Sequence, residues 1–232
     1  MNYVLFEKYH GNGNDFLIID SRGNSYFDDF INKKSFKIDA LCNRNFGIGA
    51  DGLIFILNSD NKDNDAKMII YNSDNTEAQM CGNGIRCLVQ YLSEKDIHKK
   101  SYKIETKAGV KIAFLENENI SVKMGKPILT NNKIPTTLNR KINGLYYMNF
   151  TDIGLDEIGY AVGMGNPHLI FFIERLSNIN HLLLGPILEK NSYFPEKTNV
   201  HFCEIISDND IKVLVWERGA GPTLACGTGA CA

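Results

Sequence analysis

No stretch of this 232-residue chain is apolar for long enough to cross a bilayer. Neither sign of charge dominates: 25 Lys and Arg stand against 27 Asp and Glu, interspersed, for a net charge of −2. That leaves no electrostatic footprint for nucleic acid or an anionic membrane. Met1 to Lys8 mixes charged with apolar residues and lacks the pattern of a secretory signal. The spacing of a structural-zinc knuckle is missing too. The paired cysteines Cys81/Cys87 and Cys226/Cys231 stand farther apart than C-x₂₋₄-C, or at its edge. Cys42 and Cys203 carry no pattern and read as small buried hydrophobes. Together these absences predict a soluble cytoplasmic protein with reduced thiols, and no metal, nucleic-acid or membrane partner. The length suits one large domain or two small ones, and a hydrophobic fraction of 44% suffices for ordinary cores.

What the chain does have is two stretches of the form Cys-Gly-x-Gly: Cys81-Gly82-Asn83-Gly84 and Cys226-Gly227-Thr228-Gly229. After the first, Ile85, Leu88, Val89 and Leu92 fall at i, i+3, i+4 and i+7, the stripe of an amphipathic helix. Cys81 is therefore expected at or just before a helix N-terminus. Backbone N–H groups and the positive end of the helix dipole favour a thiolate there, or a substrate carboxylate. Cys226 repeats the arrangement, but the chain stops before a helix can be read.

In order, the pattern predicts strands over 3–9 and 16–20, joined by His10-Gly11-Asn12-Gly13-Asn14-Asp15. The repeated Asn and Gly favour a ligand loop over a plain hairpin. A helix is expected over 35–43 with Ser35 as its N-cap, then strands over 53–57 and 67–71. The second strand delivers Asn72-Ser73-Asp74 towards Cys81. A meander over 102–106, 110–115 and 120–124 follows, and Gly125-Lys126-Pro127 with the polar stretch 130–140 reads as a boundary. The second part repeats the vocabulary. Strands are expected over 145–151, 160–164 and 169–173, and a helix over 179–190 that Gly185-Pro186 must break or kink. A hairpin over 200–216 then delivers Glu217-Arg218 to Cys226. The reading is α+β: two similar halves, 1–125 and 126–232, each with one catalytic cysteine, facing each other across a cleft.

Two thiols on opposite faces of one carbon suit a reaction that removes a proton from one face and returns one to the other. Helix-end N–H groups would stabilise the charge developing on the adjacent carboxylate. His168 and Glu217 are candidates to set the thiol protonation states. Alternatively Glu217 and Arg218 grip an amino acid, Glu on its ammonium and Arg on its carboxylate. Asn14, Asn72, Asn83, Asn166 and Asn199 are further candidates for a polar cage, though Asn is common in turns for its own reasons. The rival reading is a non-catalytic amino-acid-binding or zinc-binding protein.

The chain resembles the diaminopimelate epimerase family. The residues that carry the resemblance are 10–16, 44–52, Asn72-Ser73-Asp74, 80–87, Gly165-Asn166-Pro167-His168, 217–221 and 223–232. The resemblance implies a cofactor-independent isomerase that interconverts LL- and meso-diaminopimelate, on the route to lysine and peptidoglycan. It implies Cys81 and Cys226 as the acid–base pair, tuned by His168 and Glu217. Asn14, Asn72, Asn166, Asn199 and Arg218 would bind the two amino-acid ends. The backbone of Gly82-Asn83 and Gly227-Thr228 would bind the reacting carboxylate. The implied fold is two pseudo-symmetric domains, each a mostly antiparallel sheet wrapped around a central helix, often as a homodimer. Two departures stand out. Pro222 occupies a position where the family usually has Glu, which puts the shape of that loop in question. The family also continues beyond the second cysteine, so the resemblance predicts a truncated chain that lacks full activity.

Overall fold

The computed structural model describes residues 3–33, 37–95 and 98–232. They fold into two compact units, with the break between Met124 and Gly125.

The first unit contains β1 (Glu7–Gly11), β2 (Asn14–Asp20), β3 (Gly52–Leu57), β4 (Ala66–Asn72), β5 (Glu77–Ala78), β6 (Ser101–Thr106), β7 (Gly109–Glu116) and β8 (Asn119–Lys123). Its helices are α1 (Tyr26–Lys33), α2 (Ile38–Cys42) and α3 (Gly82–Lys95). The sheet runs β1-β2-β3-β4-β6-β7-β8, with β5 beside β4. Pairing is antiparallel except at β2/β3 and β4/β6.

The central strands are apolar without interruption because both faces are covered. Phe16 and Ile18 of β2 turn to α3, while Leu17 and Ile19 pack with Ile38, Cys42 and the aromatic rings of α1. Helix α3 inserts Ile85, Leu88, Val89 and Leu92 into the first of these cores. Each such side chain contributes about 1.5–3 kcal/mol on burial. α1 was not legible as a helix in the sequence. Strand β1 begins at Glu7 rather than Tyr3, where pairing with Ile18 starts. Ser35, the expected helix cap, lies outside the described residues with Phe36; the described helix starts at Ile38.

The second unit contains β9 (Lys141–Ile142), β10 (Leu145–Phe150), β11 (Leu155–Gly163), β12 (Pro167–Phe172), β13 (Asn199–Ser207), β14 (Asp210–Glu217), β15 (Gly221–Thr223) and α4 (His181–Glu189). These strands run in the order β15-β14-β13-β12-β11-β10-β9, antiparallel except β12/β13. Stretch 130–140 is no free linker: Ile134 and Leu138 are buried in this unit's core. Nor does Pro186 break its helix. α4 is continuous through it, and the carbonyl whose partner it removes belongs to Leu182, a residue 57% exposed. Pro222 sits in β15 at the sheet edge, where a residue without an N–H is tolerated. The sheets and helices form an α+β architecture in both units.

Candidate active site

In the first unit the loop 10–15 resolves into a tight hairpin. β1 and β2 pair through Gly11 and Asn14, leaving Asn12 and Gly13 at φ 55° and 81°. Both angles lie in the left-handed region that a two-residue hairpin turn demands and that Asn-Gly supplies. The backbone of this stretch is thus a two-residue hairpin. The Asn14 side chain reaches the thiol. Asn14 is buried, donates from Nδ2 to Asp51 Oδ2 at 2.9 Å, and accepts at Oδ1 from Asn83 Nδ2 at 3.3 Å. The Cys81 Sγ–H also points at Asn14 Oδ1, at 3.9 Å. The carboxylate of Asp51 can only accept, so it fixes which end of the Asn14 amide faces the sulfur.

Asp51 is held in turn. It accepts from Asp15 N at 3.0 Å and from Arg44 Nη2 at 2.7 Å. Arg44 also bridges to Asp15 at 2.7 Å, and Lys8 reaches Asp15 at 3.0 Å. Burial alone would raise the Asp15 carboxyl, but hydrogen bonds from Arg44 and Lys8 outweigh it and hold Asp15 well below the usual carboxylate range.

Cys81 is half-buried directly ahead of α3, as its sequence setting suggests. Gly84 N–H donates to its sulfur at 3.4 Å, and Ile85 N–H to its carbonyl at 2.9 Å. Arg86 Nη2 donates to Asn83 Oδ1. Asn72 ends β4 and donates from Nδ2 to Thr76 Oγ1 at 3.0 Å, inside its own turn. Cys87 does not join Cys81 in a pair; it faces the core, where burial pushes it up to about 12. Burial likewise raises Cys42 and Cys203, both to about 11.

In the second unit Cys226 is buried. Gly229 N–H donates to its sulfur at 3.4 Å, Ala230 N–H bonds its carbonyl at 3.0 Å, and Thr228 Oγ1 lies 3.3 Å from the sulfur. A 3-10 turn, Gly229–Cys231, follows where the first motif leads into a long helix. Cys231 is exposed. His168 is fully buried in β12, with Nε2 at 2.9 Å from Asn166 Oδ1 and Nδ1 at 2.9 Å from His201 Nε2. Burial above all, then the neighbouring His201 and Arg218, keeps His168 neutral; burial lowers His201 to about 4. Side-chain donor atoms of His168, His201 and Cys226 all lie within 4.8 Å of one another.

Asn199 bridges two loops, donating to Pro167 O at 2.8 Å and accepting from Arg218 N at 3.0 Å. The Arg218 guanidinium donates to Glu196 O at 2.9 Å. Glu217 Oε1 accepts from Thr223 Oγ1 at 2.6 Å, across the β14–β15 pair. The second unit therefore brings His168 beside Cys226, with Asn166 hydrogen-bonded to His168 and Asn199 tied to Pro167 and Arg218.

Two features escaped the sequence reading. One is the Asp15–Arg44–Asp51 network; an acid and a base bracketing the turn 44–51 were its only signal. The other is His201, a lone histidine between Val200 and Phe202 in an apolar strand, where a core residue is the ordinary expectation. Period-2 alternation puts it on the sheet face of Cys203, opposite Val200 and Phe202.

A family description of diaminopimelate epimerase matches residues 6–130 and 160–232. The chain is 52% identical over 232 residues to the diaminopimelate epimerase of Prochlorococcus marinus (strain NATL2A), covering 98% of this chain and 81% of that one. Over 235 residues it is 45% identical to that of Carboxydothermus hydrogenoformans, with 98% and 81% covered. Among solved structures it resembles a probable proline racemase from Agrobacterium radiobacter K84, with TM-score 0.65, 13% identity, and 98% and 74% covered. A hydroxyproline epimerase from Agrobacterium vitis superposes with TM-score 0.64 at 13% identity, with 97% and 73% covered. At such identity these likenesses speak for the fold alone. Conformity to the family description on both sides of the unit break, and identity at about half of all positions to a relative covered for 81% of its length, make this chain a member of the diaminopimelate epimerase family.

Proposed function

We propose that this chain interconverts LL- and meso-diaminopimelate, with Cys81 and Cys226 as the two acid–base groups at the α-carbon. One observation carries the assignment of the thiols. In each unit a Cys-Gly-x-Gly turn closes so that the N–H three residues on donates to the sulfur, at 3.4 Å in both. A sulfur that receives an N–H is supported as thiolate, and a thiolate is what a proton abstraction needs.

In this reading one cysteine is thiolate and the other thiol. The thiolate takes the α-proton and becomes a thiol, leaving the electron pair on the substrate carbon and its carboxylate. The second thiol gives its proton to the opposite face and becomes the thiolate. The enzyme ends with the roles exchanged, and the reverse reaction starts from that state. The backbone of Gly82-Asn83 and Gly227-Thr228 receives the reacting carboxylate. One such donor is worth about 3–4 kcal/mol when the charge develops. His168 beside Cys226, and Glu217 at the end of β14, set the protonation state of the thiols rather than act at the α-carbon themselves. Asn14, Asn72, Asn166 and Arg218 bind the amino-acid ends. Asn199, with one N–H beyond its bond to Pro167, joins them while fixing the Arg218 loop. As parts of the same proposal, 1–125 and 126–232 are the catalytic halves, and the enzyme is a cytoplasmic homodimer.

Proton NMR of LL-diaminopimelate in deuterated water tests this. The α-proton signal should vanish with the wild type and persist with Cys81→Ala or Cys226→Ala. Undiminished exchange in either variant would remove that thiol from the mechanism.

A further inference from the structure

We propose that His168, His201 and Cys226 form a binding site for a borderline-soft divalent cation such as Zn²⁺, and that the cation inhibits the enzyme by occupying the Cys226 sulfur. The inhibitory half rests on the epimerase reading; the binding half does not.

The donor set is two imidazoles and a thiol, the kind Zn²⁺ prefers. All three residues are buried and their donor atoms lie within 4.8 Å of one another. In a tetrahedral site, with metal–nitrogen bonds of about 2.0–2.1 Å and a metal–sulfur bond of about 2.3 Å, donors stand roughly 3.3–3.6 Å apart. The imidazole nitrogens are already 2.9 Å apart. The remaining adjustment is about 1 Å, within reach of a side-chain rotation.

The surroundings suit a ligand set as well. Metal-bound histidines commonly donate their other N–H to an acceptor that fixes tautomer and ring orientation. Asn166 Oδ1 does this for His168, taking the Nε2 proton and leaving the Nδ1 lone pair directed at His201. On binding, the Cys226 thiol releases its proton to solvent and His201 transfers its own from Nε2 to Nδ1. The hydrogen bond between the two rings is replaced by two metal–nitrogen bonds. Three protein ligands leave a fourth position for water or a carboxylate, as in open zinc sites.

The probe is Co²⁺, titrated into the whole chain with its thiols kept reduced by a non-thiol reductant. The wild type should bind one equivalent, with a thiolate-to-cobalt charge-transfer band and tetrahedral d–d bands that Zn²⁺ abolishes. Cys226→Ser should lose the charge-transfer band; Cys81→Ser should keep it. His201→Gln preserves an N–H towards His168 but removes an imidazole, and should weaken binding by at least about tenfold to a hundredfold. Absence of the band in the wild type, its loss in Cys81→Ser, or wild-type affinity in His201→Gln would each overturn the site. Because Cys226→Ser is nearly isosteric, the result stands even if the His201 variant fails to fold. Deuterium exchange into diaminopimelate is then followed with Zn²⁺ bound. Exchange that continues at the free-enzyme rate would overturn the inhibitory half alone.

Discussion

Gly84 and Gly229 occupy the same place in the two cysteine motifs, yet they should respond to a methyl group in opposite ways. A Cβ on Gly229 would lie 2.0 Å from His201 Cε1, 2.4 Å from Nε2 and 2.7 Å from Nδ1. Carbon contacts settle near 3.5 Å, so the overlap is about 1.5 Å. The ring cannot yield easily, because it is buried and its Nε2 bonds to His168. Either His201 or the turn carrying the Gly229 N–H must move, and that N–H is the one donated to Cys226. Overpacking of this kind costs about 1–3 kcal/mol. The atoms nearest a Cβ on Gly84 are the Cδ1 methyls of Ile54 and Ile70, at 3.1 and 3.2 Å, and Cys81 Cβ at 3.4 Å. Flexible methyl ends can give a few tenths of an ångström, and the helix start gains from Ala over Gly by up to about 1 kcal/mol. Gly84→Ala should therefore be within about 1 kcal/mol of wild type in urea unfolding, and Gly229→Ala clearly less stable. The decisive measurement is the cycle with His201→Ala. Removing the ring should relieve most of the cost of Gly229→Ala, giving a coupling of about 1–3 kcal/mol. If the two costs simply add, the close approach of Gly229 to His201 is not what makes glycine necessary there.

Asp51→Leu leaves the Asn14 amide without the acceptor that orients it. A hydrogen bond to a charged group is worth about 1.5–3 kcal/mol, so kcat/KM should fall roughly tenfold to a hundredfold with the far-UV spectrum unchanged; unaltered kinetics would refute the orienting role. Asp15 makes its stability contribution as a carboxylate with a depressed pKa. The margin of wild type over Asp15→Asn should be full above about pH 5 and shrink as pH falls below about 4. A margin that grows in acid would contradict the ion pairs with Arg44 and Lys8. Limited alkylation followed by peptide mass mapping should modify half-buried Cys81 and exposed Cys231, and spare Cys42, Cys87 and Cys203, whose burial keeps them as thiols. Early modification of Cys87 would mean that α3 does not pack as described.

Local chemistry was written plainly in the amino-acid order. The uninterrupted apolar runs of β2 and β3, the helical stripe after Gly84 and the turn at Asp208-Asn209 each follow from neighbours along the chain, and all appear in the structure. Cys81 stands at a helix start because the stripe begins just after it. Helix α1 was not legible, since its apolar face is short and its partners Phe55 and Tyr71 lie far along the chain. The expected break in α4 did not occur: the helix packs against β13 and β14, which outweighs one lost hydrogen bond. Tertiary structure alone decided that Asn14 would meet Asp51, a residue 37 positions away. It alone decided that the parallel register of β12 and β13, pairing Ile170 with His201, would set a second imidazole against His168. Backbone preference acts over a few residues and can be read from them; which side chains meet across a sheet depends on strand order and register, which no short window contains.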